Sequence, residues 1–236
     1  MEETKLTFKR HEKKYVLTTE KYNILKNELN SFVVPDAYPE STVCSIYYDS
    51  KNYKLIRNSI DKPAYKEKLR IRCYNISEPE SEAFVEVKKK YKGIVYKRRI
   101  VLKLSEAVNL LNGKTQPAES DSQIKKEILK FIALYEPEPK VMVSCEREAF
   151  VARDDQQLRI TFDRNLRWRD HDLDFRHGSD GEPVVNNDMV LMEIKTVDTI
   201  PLWLAHILSN CSLYPAAFSK YGTIYKRYIL ENNYNV

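Results

Sequence analysis

One ten-residue stretch constrains the fold more than any other part of this sequence. Residues 65–74 read YKEKLRIRCY, and a β-strand directs alternate side chains to opposite faces of its sheet. One face is apolar from Leu69 onward, and the other carries the cations Lys66, Lys68, Arg70 and Arg72. Like charges placed together on a sheet are destabilising, so this row predicts an anion-binding surface. The alternative is a solvated face, the usual role of charge runs.

Composition limits the classes of protein to which this chain can belong. The 236 residues are 42% hydrophobic, which is enough for a core, and 31% charged, with a net charge of +5. Because this net charge is modest, the local pattern of charged residues says more about function than the total does. Only 5 glycines are present, and no glycine-rich nucleotide-binding loop is found. A bound nucleotide would therefore be held by side chains.

The four cysteines, Cys44, Cys73, Cys145 and Cys211, show no paired metal-ligand spacing. Reduced thiols in a cytoplasmic protein are the simplest interpretation, because disulfides are rare there. The first ten residues have no apolar targeting segment, and no apolar run is long enough to cross a bilayer. We therefore expect a soluble cytoplasmic chain without a transmembrane segment.

Seven further segments are predicted as strands from alternation or from β-branched and aromatic content. They are 8–17, 42–49, 82–90, 94–104, 140–152, 158–163 and 189–196. Most repeat the pattern of one apolar and one charged face. In 140–152, Arg147 shares a face with Val143 and Cys145, and a buried arginine requires an anionic partner.

Helices are predicted between these strands from capping residues and apolar spacing. The first is capped by Thr18 or Thr19 and stops before Pro35. A short helical connection is expected in 50–60, and 105–138 has a helical pattern with a cap at Ser122. Two more helices follow Pro201 and Ser219.

No linker or repeat divides the chain, so we predict a single domain over 1–236 with a core of about 8–229. Residues 164–188 are charged and aperiodic, which predicts a long, partly mobile excursion. The Asp, Glu and His residues of this excursion are spaced too irregularly to favour a metal site.

A set of strands that each have one apolar and one basic face is typical of a closed barrel with a polar lumen. The predicted fold is α+β, an antiparallel β-barrel tunnel with helices packed outside. Guanidinium groups bind phosphate oxygens in a bidentate manner, so such a lumen suits a linear polyanion. The cations placed in it are Lys14, Lys66, Lys68, Arg70, Arg72, Lys88, Lys97, Arg99, Arg147, Arg159 and Lys195.

Seven short motifs in a fixed order now identify a resemblance. They are R-x-E-x-K-Y, K-L-R-I-R, F-V-E-V-K followed by Y-K-R-R-I, C-E-R-E-A-F, L-R-I-T-F-D, L-M-E-I-K and F-S-K-Y. Together, from about Phe8 to Tyr228, they resemble the VTC (vacuolar transporter chaperone) polyphosphate polymerase domain of the triphosphate tunnel metalloenzyme superfamily.

The resemblance implies a tunnel that binds ATP and polyphosphate, uses a divalent metal such as Mn²⁺ or Mg²⁺, and transfers the ATP γ-phosphoryl group. It implies catalytic roles for Arg70, Arg72, Lys88, Arg147 and Glu193. It adds Lys220 to the phosphate-binding set that already contains Lys14, Lys97 and Arg159. Glu193 is the implied metal ligand, and Glu12 and Glu86 are further candidate carboxylates.

One position departs from the pattern of the superfamily's hydrolytic branch, which carries E-x-E-x-K on the first strand. This chain has Arg10 where that branch has the first carboxylate, which favours phosphate transfer or binding over hydrolysis. A metal-dependent triphosphatase and a non-catalytic polyphosphate or nucleotide-binding module remain the alternatives. A nucleic-acid binder is not expected, because the cations lie on strand faces rather than on an exposed patch with stacking aromatics.

Overall fold

The computed structural model describes residues 7–8, 11–61, 63–92, 94–115, 117–197 and 199–230. Arg10, which marks the departure from the hydrolytic pattern, lies outside these residues. The strands are β1 Thr7–Phe8, β2 His11–Thr18, β3 Val33–Asp49, β4 Tyr65–Tyr74, β5 Glu82–Tyr91, β6 Ile94–Lys103, β7 Glu138–Ala152, β8 Arg159–Arg169, β9 Glu182–Pro183 and β10 Met189–Thr196. The helices are α1 Thr19–Leu29, α2 Lys54–Ile60, α3 Leu104–Leu111, α4 Gln123–Tyr135, α5 Leu202–Asn210 and α6 Lys220–Ile224.

Nine of the strands form one antiparallel path in the order β1-β6-β5-β4-β3-β7-β8-β10-β2, and β9 pairs with β8. Within the described residues the path has two ends, β1 and β2, and no backbone ladder joins them. Phe8 and His11 are nevertheless only three residues apart, so their Cα atoms lie within about 11 Å. The chain itself therefore brings the two edges together. Backbone hydrogen bonds do not close the sheet within the described residues, but the fold is tunnel-like, as predicted.

Helices cover the outer face of the sheet in two places. α3 and α4 pack on the outward side chains of β3 to β6, where Leu69 and Ile71 are fully buried. α1 and α5 pack on β2, β8 and β10, around Phe162 and Met192. The apolar faces that the sequence showed are thus turned outward and buried beneath helices, as the alternation predicted.

The inner face is not polar on every strand, which corrects the expectation of a uniformly hydrophilic lumen. Val143 and Cys145 of β7 lie in a third apolar cluster with Tyr221 and Ile224 of α6 and Ile56 of α2. The chain continues from α6 into a π-helical turn, Tyr225–Ile229. The C-terminal helices therefore fill part of the concave side, which explains why Arg147 shares a face with apolar residues.

Several boundaries differ from the predicted ones. β3 begins at Val33 and contains Pro35, tolerated beside a register shift between Pro35 and Glu40. The helical pattern of 105–138 divides into α3 and α4, and Gly113 with φ of 71° follows the end of α3. The predicted caps at Thr18 and Ser122 are confirmed.

The predicted excursion at 164–188 begins as strand, because β8 continues to Arg169. The buried Arg169 guanidinium then organises the following loop by donating hydrogen bonds to four carbonyl oxygens, those of Asp172, Asp174, Gly178 and Asp180. Buried apolar side chains of the segment, Leu166, Trp168, Phe175, Val184 and Val185, anchor it to two of the apolar clusters. The segment is therefore held both by the hydrogen bonds of one arginine and by apolar contacts.

All four cysteines are free thiols, and Cys44, Cys73 and Cys145 are buried. Among the residues described, no helix has both the length and the apolar character that membrane crossing requires.

Candidate functional site

Strand register sorts the charged side chains of the concave face into two groups. The first, called here the cation wall, consists of four cross-strand rows on β4, β5 and β6. Its charged members are Lys66, Lys68, Arg70, Arg72, Glu86, Lys88, Lys90, Lys97 and Arg99. The second, called the carboxylate wall, lies on β2, β7, β8 and β10 with one residue from α6. Its members are Glu12, Lys14, Arg147, Arg159, Asp163, Glu193, Lys195 and Lys220.

The cation wall has eight cations and a single carboxylate. Lys68, Lys88 and Lys97 lie directly opposite one another across three strands. Like charges in such cross-strand positions are destabilising. An anionic ligand bound along this row would relieve the repulsion among the three lysines.

The neighbouring row balances part of this charge. Glu86 lies between Arg70 and Arg99 in the register, accepts a hydrogen bond from Arg70 Nε at 2.7 Å and pairs with Lys97. Burial would raise the pKa of Glu86, but Arg70, Arg72 and Lys97 outweigh it and hold the pKa well below its usual value. Glu86 is thus a fixed anion that orients the cations around it.

Arg72 and Arg99 keep most of their hydrogen-bonding capacity. Arg72 Nε donates to Ser45 Oγ at 3.1 Å. Arg72 lies near enough to Glu86 to lower the pKa of that carboxyl, but within the described part of the chain it makes no direct ion pair. The Arg99 guanidinium lies over the Phe84 ring, 4.9 Å from its centroid, and its buried Nε has no partner among the described residues. Both guanidinium groups therefore have donors available for phosphate oxygens.

Two lysines of the cation wall have strongly perturbed protonation. Burial, followed by the nearby charges of Lys14 and Lys88, lowers the pKa of Lys68 to about 7. Burial lowers the pKa of Lys97 to about 7 as well, against the opposing effect of Glu86. A bound anion would favour the charged form of each ammonium group.

The carboxylate wall is largely neutralised by its own residues. Asp163 is fully buried and accepts a bidentate pair from Arg147, with distances of 2.6 and 2.8 Å, and it also pairs with Lys220. Burial would raise the pKa of Asp163, but Lys220 and Arg147 reverse the effect and lower it. Lys220 Nζ also lies 3.3 Å from Cys145 Sγ. The Arg147–Asp163 pair confirms that Arg147 has the anionic partner that its position required.

Glu193 lies between Lys14 and Lys195, at 3.2 and 3.1 Å. Burial would raise its pKa, but these lysines and the nearby arginine hold it well below its usual value. Glu12 contacts Lys14 at 3.6 Å and reaches Lys88 of the cation wall at 3.1 Å. This Glu12–Lys88 pair connects the two walls across the ends of the sheet.

A segment before α6 also bridges the walls. Lys14 Nζ donates to the Phe218 carbonyl at 3.2 Å, and Lys68 Nζ donates to Ser219 Oγ at 2.8 Å. Ser219 in turn caps α6 by accepting a hydrogen bond from the Gly222 amide. Lys220, which the residue pattern placed before a helix and the resemblance placed in the phosphate-binding set, thereby lies beside Asp163 of the carboxylate wall.

Two predicted phosphate-binding residues occupy more peripheral positions. Arg159 is paired with Asp36 at 2.6 Å and is 38% exposed at its side chain. Lys66 Nζ donates to the carbonyl of Ser59 in the last turn of α2. Both lie on the concave face by register, at the ends of the two walls.

Three side chains that hold the site were not singled out from the sequence. Asp163 anchors Arg147 and Lys220, Tyr47 accepts a hydrogen bond from Arg70 Nη1 at 3.0 Å, and Ser45 contacts Arg72. Alternation placed Asp163 on the face of Arg159, which is the signal that could have identified it. Nothing in the sequence pattern indicates the cross-strand partners of Tyr47 and Ser45.

The three carboxylates considered as metal ligands are divided by the fold. Glu12 and Glu193 lie together beside Lys14 and are both held in the ionised form, whereas Glu86 lies in the cation wall. Among the described residues, no three His, Cys, Asp or Glu side chains form a metal-binding group. One or two carboxylates with substrate phosphate oxygens are a common Mg²⁺ ligand set. Glu12 and Glu193 together could hold a metal that arrives with phosphate, whereas Glu86 is separated from them by the fold.

Solved structures share this architecture. A proposed adenylate cyclase from Bacillus halodurans matches with a TM-score of 0.60 at 13% identity, covering 94% of this chain and 99% of that one. A proposed adenylyl cyclase from Hippeastrum with a dominant triphosphatase activity matches with a TM-score of 0.54 at 13% identity, covering 93% and 95%. At this identity the likeness concerns the fold.

Sequence comparisons identify the family. Vacuolar transporter chaperone complex subunit 4 from Trypanosoma brucei brucei is 26% identical over 221 residues, and the same subunit from Trypanosoma cruzi is also 26% identical. The alignments cover 77% of this chain but only 28% and 27% of those relatives, so the chain spans little more than a quarter of their length. The family model named VTC domain matches residues 9–229. This chain belongs to the VTC domain family.

Proposed function

We propose that this chain is an ATP-dependent polyphosphate polymerase that works inside the tunnel with a divalent metal. The observation that carries the proposal is the cation wall, where eight cations face the lumen with one carboxylate among them. Such a surface suits a linear polyanion better than a small neutral substrate. Membership of the VTC domain family supports the choice of polyphosphate.

The reaction joins one phosphoryl group to a chain. A terminal oxygen of polyphosphate attacks the γ-phosphorus of ATP, the bond from the γ-phosphorus to the β,γ-bridging oxygen breaks, and ADP leaves with that electron pair. The chain gains one phosphate. Phosphoryl transfer depends mainly on positioning and on neutralising charge at the equatorial oxygens, so a protein nucleophile is not needed.

Arg70, Arg72 and Lys88 of the cation wall would hold the phosphates, and Arg147 and Lys220 would approach from the carboxylate wall. The ion pairs with Glu86 and Asp163 fix Arg70 and Arg147 before substrate arrives. Donors that are already oriented have less reorganisation to undergo when charge develops in the transition state. Glu12 and Glu193 would hold the divalent cation, which would supply further neutralisation of phosphate charge.

Hydrolysis is the second candidate, because the same paired carboxylates, Glu12 and Glu193, could serve a metal-dependent triphosphatase. The two reactions differ only in the acceptor, which is water rather than a phosphate chain. A binding module without turnover would use the same cations. Products therefore separate the three possibilities.

The test is incubation of the purified chain with ATP and Mn²⁺, followed by a gel that separates polyphosphate chains from orthophosphate. Long chains that disappear in Glu193→Gln and Arg72→Ala would support the polymerase. The matched control is Glu146→Gln, which removes an exposed carboxylate from β7. Orthophosphate alone would indicate a triphosphatase, and tight polyphosphate binding without turnover would indicate a binding module.

A further inference from the structure

The two ends of the cation wall differ in chemistry. At one end the row contains Lys66 opposite Lys90, and both are cationic. At the other end Arg72 lies opposite Phe84, which in turn lies opposite Val101. A polyanion running along this wall would therefore meet further cations in one direction and an apolar surface in the other.

The apolar end is formed by a small group of side chains on the concave face, called here the aromatic end. The Tyr74 and Phe84 rings meet edge to face with centroids 5.7 Å apart, and Arg99 lies over Phe84. Tyr74 and Val101 remain exposed, at 39% and 41%. Binding of a flat apolar ligand would remove these tyrosine and valine side chains from water, which lowers the free energy.

The aromatic end is placed within reach of phosphates held by the wall. Phe84 is two residues from Glu86 on β5, so successive inward rows are separated by about 7 Å. Arg72 belongs to the same row as Phe84, and Arg99 belongs to the row of Glu86. A triphosphate bound by these two arginines would have its uncharged substituent next to Tyr74 and Phe84.

We propose that the aromatic end binds the nucleobase of ATP, with Tyr74, Phe84 and Val101 as the contact surface. This inference rests on the proposed function, because it requires a nucleoside triphosphate in the tunnel. Bases stack on aromatic rings, and arginine adds a cation–π contribution. The substrate is thereby oriented with its base at the aromatic end and its phosphates toward Lys68, Lys88 and Lys97. The growing chain extends toward Lys66 and Lys90.

The experiment compares ATP with inorganic tripolyphosphate, which has the phosphates but no base. Affinities are measured by titration calorimetry without divalent metal, so that turnover is suppressed. Tyr74→Ala and Phe84→Leu are the test variants, and leucine keeps most of the volume of Phe84. Tyr96→Ala, an exposed tyrosine on the outward face of β6, is the matched control.

We expect each test variant to lower the affinity for ATP by about fivefold or more, which is the low end of what one stacked base contributes. Tripolyphosphate affinity should change by less than about twofold, and Tyr96→Ala should affect neither ligand. Equal losses for both ligands would overturn the inference, because the rings would then only support the arginines. Unchanged ATP affinity would also overturn it. Failure of wild-type protein to bind either ligand would instead refute the proposed function and, with it, this inference.

Discussion

The cation wall and the carboxylate wall face the same tunnel, but they neutralise charge differently. On the carboxylate wall five cations share three carboxylates, and the central pair, Arg147 with Asp163, is buried and bidentate. On the cation wall Glu86 is the single carboxylate among eight cations and pairs with Arg70 and Lys97, while Lys88 reaches Glu12 of the other wall. The charges of the carboxylate wall are therefore largely neutralised without ligand, whereas the cations of the cation wall repel one another until an anion binds. The difference suggests that one wall supports the fold and the other supplies most of the binding energy.

The largest expected effect is on folding, from breaking the carboxylate wall. Asp163→Ala leaves the buried Arg147 without its anionic partner, and removing one member of a buried ion pair costs about 3–5 kcal/mol. We expect the free energy of unfolding, measured by urea denaturation, to fall by this amount. A loss below about 1 kcal/mol would show that this wall does not support the fold.

The corresponding variant on the cation wall should lower ligand affinity rather than stability. Arg72→Ala removes a guanidinium that contacts Ser45 but no carboxylate among the described residues. A hydrogen bond to a charged group contributes about 1.5–3 kcal/mol, so polyphosphate affinity should fall by about tenfold or more. The free energy of unfolding should change by less than about 1 kcal/mol. A variant that unfolds as readily as Asp163→Ala would erase the distinction between the walls.

Ligand should stabilise the protein through the cation wall. A ligand at a hundred times its dissociation constant adds about 2.7 kcal/mol, which raises the melting temperature of a chain of this length by roughly 5–10 °C. We expect such an increase with tripolyphosphate in thermal denaturation, and a smaller one as salt screens the wall. Arg72→Ala should reduce the increase at a fixed ligand concentration. The exposed outward variant Lys13→Gln on β2 should leave it unchanged.

The smallest expected effect concerns pH. Lys68 has a pKa of about 7 in the free protein, because it is buried and faces Lys14, Lys88, Lys66 and Arg70. Its unfolded pKa is near 10.4, so between these values the unfolded state binds more protons and this residue's contribution to stability rises with pH. Anion binding, in contrast, requires the charged ammonium form of Lys68, which is lost as pH rises.

Tripolyphosphate affinity should therefore fall several-fold as pH rises from about 6.5 to 8.5. Lys68→Arg keeps the charge at every pH in this interval and should make the profile shallower. The remaining slope of the protein's part belongs to Lys97, whose pKa is also lowered to about 7. Calorimetric titrations of both proteins with the same ligand cancel the ligand's own ionisation. Parallel profiles would exclude Lys68 as the titrating group.

Much of the fold could be predicted from alternation. The bounds of β4 and β10 agree with the predicted strands 65–74 and 189–196, because each has a regular apolar face beneath helices. The extension of β8 to Arg169 was missed, although Leu166 and Trp168 alternate with polar residues and are buried in the structure. The loop beyond Arg169 could not be predicted, because hydrogen bonds from that guanidinium to backbone carbonyls leave no sequence pattern. The apolar cluster inside the sheet was missed because Val143 and Cys145 pack against helices that lie more than seventy residues away in the chain.

The sequence by itself determined which side chains share a strand face, since a strand has a fixed two-residue period, and so it placed Arg70 with Arg72 and Glu193 with Lys195. Tertiary structure decided which of these charges meet. Strand order and register put Glu86 among the cations of β4 and β6 and paired Arg147 with Asp163, and among the described residues they gave Arg72 no ion-paired carboxylate. These contacts depend on hydrogen bonding between segments distant in sequence. For that reason the division into a self-neutralised wall and a cation-rich wall is a property of the fold.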